Sequence, residues 1–185
     1  SIGIYSNGGK IVSTGAAIVG KNSLGIYGKG TAVTSGAMTI ADNGVGIQLD
    51  NTSTSQGSAR VNGSLTVGGN GAVGLQVANA NTTVNGDINI ANGDSKGIYS
   101  NGAGNITATG NVSVGDNSVG VYQANGSGTV TVGTSGLGNT LTVGNNAYGI
   151  FSNGSAVINH TNVNVASGSG SNQAIGVYVN GNSLT

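Results

Sequence analysis

The chain has 185 residues, five Lys+Arg balanced by five acidic groups (all Asp), 37 Gly, and no Pro, Cys or Trp. Zero net charge leaves no basic field for phosphates, which excludes nucleic-acid binding, and the lack of Cys excludes disulfides and thiolate metal sites. No apolar run approaches the roughly 18 residues of a membrane span, so this segment is not expected to enter a membrane.

Strong helix formers are scarce while Val, Ile, Thr, Asn and Gly dominate, which points to an all-β chain. Charged residues are only 5% and apolar residues 36%, unlike a charge-swollen disordered sequence.

Taken in chain order, one phrase keeps returning. It begins as "GIYSNG" at 3–8, followed by a short β pattern "KIVS" at 10–13. The second coil has "GIYGKG" at 25–30, "TAVT" at 31–34, and an alternating pair Met38/Ile40 around Thr39. The third and fourth carry Gly46-Ile47-Gln48 and Gly74-Leu75-Gln76, with the pairs Leu65/Val67 around Thr66 and Ile88/Ile90 around Asn89. The fifth repeats "GIYSNG" at 97–102, then "NITA" at 105–108 and Val112/Val114 around Ser113. The sixth reads "GVYQANG" at 120–126, "TVTV" at 129–132 and Leu141/Val143 around Thr142. "GIFSNG" at 149–154 precedes Val163/Val165 around Asn164, and "GVYVNG" at 176–181 opens an eighth coil.

The anchor glycines 3, 25, 46, 74, 97, 120, 149 and 176 are spaced by 22, 21, 28, 23, 23, 29 and 27 residues. A period in the twenties that tolerates insertions is that of a solenoid, with the extra residues expected to bulge at one corner. Alternation with a period of two predicts which side chains are buried. Ile4, Ile26, Ile47, Leu75, Ile98, Val121, Ile150 and Val177 face inward, and Tyr5, Tyr27, Gln48, Gln76, Tyr99, Tyr122, Phe151 and Tyr178 face outward. The residue before each anchor glycine is usually apolar as well, Lys96 being the exception. A small residue follows each alternating strand (Gly20, Ala41, Gly68, Ala91, Gly115, Gly144, Ala166). Soon after it comes an Asn, at 22, 43, 70, 92, 117, 146 and 172, a residue suited to left-handed turns. Three short strands per coil with Gly and Asn corners describe a parallel β-helix of about eight coils of 21–29 residues, forming one domain over 1–185. A single Gly-rich coil buries too few aliphatic side chains to offset the entropy of ordering it, so stability must come from stacking. At about 4.8 Å per coil the rod is roughly 40 Å long.

Catalytic and metal-binding patterns are missing. The acids are Asp42, Asp50, Asp87, Asp94 and Asp116. Asp42 and Asp116 share a column but lie three coils apart, about 14 Å, beyond the roughly 5–9.5 Å of paired glycosidase carboxylates. His160 is the one histidine and cannot build a His-rich metal site; it reads as a surface or corner residue with no assigned role. "GTSGLG" at 133–138 has no triad partners, and no Gly-x-Ser-x-Gly elbow occurs. "GGNGAVGLQ" at 68–76 has Val73 where a calcium β-roll needs Asp. Asn-x-Ser/Thr triplets, as at Asn51, Asn105 and Asn111, are expected in so Asn- and Thr-rich a chain. No cofactor and no enzymatic activity are therefore expected.

The outward aromatics Tyr5, Tyr27, Tyr99, Tyr122, Phe151 and Tyr178 are the candidate ligand-binding residues. Exposed Tyr suits recognition of proteins or sugars, while stacking between rungs is the competing, purely structural use of the same column. An ice-binding face would need a regular Thr array, and the column Thr39, Thr66, Asn89, Ser113, Thr142, Asn164 is mixed and one residue wide.

Together, the phrases "GIYSNG" and "VGDNSVGVY" and the columns they form resemble the passenger domains of type V autotransporters of Gram-negative bacteria, in particular the large fusobacterial-type autotransporter adhesins. The resemblance covers the whole chain. It implies a right-handed parallel β-helix displayed at the cell surface, on the extracellular face of the outer membrane, as a rod or adhesin attaching to host cells or other bacteria. The implied partners are a surface protein or glycan and the protein's own C-terminal β-barrel translocator. The opening "SIGIYS" falls partway through a repeat, so the segment reads as excised from a longer passenger, and its cut sheet edges are expected to favour end-to-end association. A carbohydrate-active β-helix enzyme and a non-binding stalk are the alternatives.

Overall fold

A computed structural model describes residues 1–54, 57–136, 138–168 and 173–185. It contains strands and turns and no helix among them. Every strand pair is parallel, and each strand bonds to its counterparts one coil before and one coil after. The result is a β-solenoid of three faces and about seven turns, the eight anchor strands read from the repeat enclosing seven full coils.

The alternating strands form one face of seven rungs, from Ala17–Val19 through Met38–Ile40, Leu65–Val67, Ile88–Ile90, Val112–Val114 and Asn139–Val143 to Thr161–Val165. The anchor strands form the second and the weaker strands the third. These two are continuous at the long strand Leu24–Ser35: its first half pairs with Val45–Asp50 and its second with Gly57–Val61, the chain turning at Gly30 (φ 59°). The third face gains rungs that the sequence pattern marked only faintly, at Gly57–Val61, Ala80–Val84 and Ser155–Ile158.

Register keeps like residues in line. Ile88 pairs with Leu65 and Val112, and Asn89 with Thr66 and Ser113. The inward aliphatics of the alternating face are buried from Met38 to Val143, whereas Val163 and Val165 on the last rung stay 40% and 42% exposed. The anchor column Ile26, Ile47, Leu75, Ile98, Val121 and Ile150 is buried, while Ile4 on the first rung is exposed and Val177 on the last is half-buried. Burial therefore depends on having a rung on either side, which is the nearest-neighbour coupling of a solenoid.

Two expectations need correction. The extra residues of the longer coils do not share a corner. They fall between Asp50 and Gly57 in the third coil, between Val132 and Asn139 in the sixth, and between Val165 and Ile175 in the seventh. Any corner can accept an insertion, because rung hydrogen bonds run through the strands. Asn22, Asn43, Asn70, Asn117 and Asn146 do adopt positive φ, but in the fourth-coil corner that seat passes to Asp94 (φ 57°). Gly93 lengthens this corner, and Asn92 instead accepts the backbone N–H of Asp116 at 2.8 Å. Asn172 lies outside the described residues. The interior also holds polar side chains. Ser100, Gln123 and Ser152, two residues past the inward aliphatic, are fully buried. Ser152 Oγ donates to Gln123 Oε1 at 2.6 Å, which satisfies a polar pair that burial would otherwise penalise.

Serines tie the corner before the anchor strand. Ser118 Oγ donates to Ala91 O at 2.9 Å and Ser95 Oγ to Gly68 O at 2.7 Å, each reaching back one coil. His160 is exposed with φ 43°, at the turn between the strands Ser155–Ile158 and Thr161–Val165, the corner site expected of it.

Candidate functional site

The aromatic column stands on the outer side of the anchor face. Rungs pair Tyr5 with Tyr27, Tyr27 with Gln48, Gln48 with Gln76, and Gln76 with Tyr99. Tyr99, Tyr122, Phe151 and Tyr178 then follow one another without a break. Parallel in-register strands place identical side chains about 4.8 Å apart, a distance that lets flat rings stack. Tyr5 and Tyr27 are 5.5 Å apart at 9°. Tyr99–Tyr122, Tyr122–Phe151 and Phe151–Tyr178 lie at 5.5, 4.9 and 4.8 Å with interplanar angles of 17°, 22° and 21°.

Stacking decides what the column offers. The rings at either end of the rod, Tyr5 and Tyr178, are 64% and 40% exposed, while Tyr27, Tyr99, Tyr122 and Phe151 are half-buried. In the upper stack each inner ring covers its neighbour's face, so ring edges and phenol oxygens point to solvent. Glutamines at positions 48 and 76 divide the column into a lower pair and an upper stack of four. Tyr99, at the foot of the upper stack, has a ring on one side and Gln76 on the other.

A second outward column runs beside the first, and strict alternation hides it. The residue before an anchor glycine should share the side of the residue after it, which is the core. Gly97 prevents this: its own missing side chain and that of Ile98 both point inward, since a Cβ at Gly97 would lie 2.8 Å from Ile90 Cδ1. The strand bends there, turning Lys96 outward. The column Ile2, Leu24, Val45, Val73, Lys96, Val119, Tyr148 and Ile175 therefore flanks the aromatics. Tyr148 meets Phe151 edge-on at 5.8 Å. The only sequence signal was a recurrent apolar residue in that frame.

At the lower pair, polar chemistry borders the strip. Asp50 beside Tyr27 holds the phenol above its ordinary pKa, by hydrogen bonding first, then with partial desolvation and its charge. Gln48 Nε2 also donates to Asp50 Oδ2 at 3.2 Å. The neutral phenol makes the bond, so its contribution is present below the ordinary value of about 10 and is lost as pH rises through the raised one. An Asp50→Asn variant is expected to lower the titration of Tyr27 towards that ordinary value, read by tyrosinate absorbance. A profile identical to the parent's would remove Asp50 from this role.

Elsewhere the polar groups serve the corners. Lys21 and Asp42 form an ion pair at 3.3 Å, the single one among the described residues. Asn70 donates to the same carboxylate, and these two contacts, Asn70 first, hold Asp42 below the usual carboxylate range. Among the described residues no group of His, Cys, Asp or Glu is placed to hold a metal ion, and no helix is long and apolar enough to cross a membrane.

Comparisons with protein families, with curated protein sequences and with solved structures returned no match.

Proposed function

We propose that the chain is a surface-displayed rod of an autotransporter-type adhesin, contributing attachment to host cells or other bacteria. The reading is carried by one observation: an outward strip, two columns wide, of aromatic and aliphatic side chains along the anchor face, interrupted by Gln48, Gln76 and Lys96. Its members are held by rung hydrogen bonds, so little conformational entropy is lost when a partner docks, and Tyr supplies both apolar area and a hydrogen-bonding tip. Partners of this class are surface proteins or glycans. In this reading the rod stands on the extracellular face of the outer membrane, carried there by a C-terminal β-barrel translocator.

A non-binding stalk is the second reading, favoured by ring faces that cover one another. A carbohydrate-active enzyme fits less well, because Asp42 and Asp116 share a corner column three rungs, or about 14 Å, apart.

Binding of the folded protein to host-cell surfaces and a glycan panel, beside a Tyr99→Ser/Tyr122→Ser double variant, separates the readings. The parent is expected to bind and the variant to lose binding about ten-fold or more while keeping the parent's circular dichroism; an affinity change of that size corresponds to about 1.4 kcal/mol. Absence of binding by the parent at micromolar concentration would make the rod a stalk.

A further inference from the structure

We infer that the notch below the upper ring stack is a binding site for a saccharide that carries a carboxylate. The inference rests on the adhesin reading above and names its ligand class. The notch is a depression of about 400 Å³ lined by Val73, Gln76, Lys96, Tyr99 and Tyr122. It lies where the aromatic column changes to glutamine, next to the one charged residue of the flanking column.

Each wall supplies one part of sugar recognition. Tyr99 has a ring neighbour on one side only, so with Val73 it offers apolar surface to the C–H face of a pyranose. The Gln76 amide both donates and accepts, which matches the mixed donor and acceptor character of sugar hydroxyls. Phenol oxygens of Tyr99 and Tyr122 add further donors and acceptors at the rim. Lys96 selects the acidic sugar. Its ammonium makes no ion pair among the described residues, and the residue is half-buried and lines the notch. A carboxylate on the ligand is the complement this cation lacks.

The site also accounts for the pattern of the flanking column. Seven of its eight members are aliphatic or aromatic, and the exception falls on the rung where the rings begin. Beyond Asp116 the chain carries no charged side chain at all, so the upper rings would not by themselves prefer an acidic ligand.

The test uses oligogalacturonate and its methyl ester, in which a methyl group removes the carboxylate charge, with a polyglutamate peptide as the third probe. The parent is expected to bind the acid more tightly than the ester, and Lys96→Gln to weaken the acid by roughly two- to five-fold, the range for an exposed charge pair, without changing the ester. Raising the salt to about 1 M, where the Debye length is about 3 Å, should erase the difference between acid and ester. Lys96→Gln lies on the surface and should melt with the parent. Equal binding of acid and ester, no binding of either, or an unchanged Lys96→Gln would overturn the inference. Polyglutamate binding as tightly as the saccharide would overturn it too, making the notch a site for acidic peptides. Cell binding lost in the Tyr99/Tyr122 variant but indifferent to Lys96 would refute this inference and leave the adhesin reading standing. Acid-selective binding without any cell attachment would do the reverse.

Discussion

An Ile98→Asp protein is expected not to fold. Ile98 is fully buried in the middle rung of the anchor column, between Leu75 on one side and Val121 on the other. Truncating a buried Ile costs about 2–5 kcal/mol, and a carboxyl placed there adds several more, whether it stays charged or neutralises without a partner. That sum approaches the whole 5–15 kcal/mol margin of a typical domain. The position aggravates the loss, because a solenoid holds together through neighbour contacts and a broken fifth rung separates the coils below from those above. Circular dichroism and a thermal melt decide the matter. A soluble, β-rich Ile98→Asp protein melting like the parent would sink the column assignment, and Ile150→Asp, with Ile150 equally buried, repeats the test two rungs on. The control is one residue away: Tyr99→Ser faces outward and should cost no more than about 1 kcal/mol of cross-strand contact.

Gly97→Val is the second severe substitution, for a reason of space. Gly97 has no positive φ, so an L-residue could take its backbone conformation. What it cannot place is a side chain: a Cβ would lie 2.5 Å from Gly120 O on the next rung and 2.8 Å from Ile90 Cδ1. The carbonyl cannot retreat without breaking the ladder. Gly74 is confined in the same way, with Gly97 O at 2.5 Å and Leu65 Cδ2 at 2.8 Å. Gly97→Ala is expected to cost about 1–3 kcal/mol by overpacking, lowering Tm by roughly 2–12 °C for a chain of this size, and Gly97→Val should cost more. Gly20 gives the contrast. Nothing lies within 4 Å of its Cβ position, and Ala41 occupies the same column one coil on, so Gly20→Ala should be neutral or slightly stabilising. Equal losses at Gly20 and Gly97 in urea unfolding would show that the anchor glycines are not reserved for close approach.

The sequence by itself determined the coil and its faces. Glycine spacing set the period, and period-two alternation assigned Met38/Ile40 through Leu141/Val143 to the core and Thr39 through Thr142 to solvent. Those properties are local, since successive side chains on a strand must point to opposite sides. The outward direction of Tyr5 through Tyr178 was legible for the same reason.

Only the tertiary structure decided what those residues touch. Strict alternation places the residue before each anchor glycine inside; the bend at Gly97 and its equivalents turns Lys96 and Tyr148 outward, making the strip two columns wide. Stacking then covers the inner ring faces and leaves the notch at Gln76. The left-handed seat passes to Asp94, with Gly93 lengthening that corner, and Ser100, in the second "GIYSNG", lies fully buried. Each outcome depends on contacts between residues more than twenty positions apart. Those contacts follow from how each coil's insertions are absorbed at its corners, and the register they set exists once the coils are stacked.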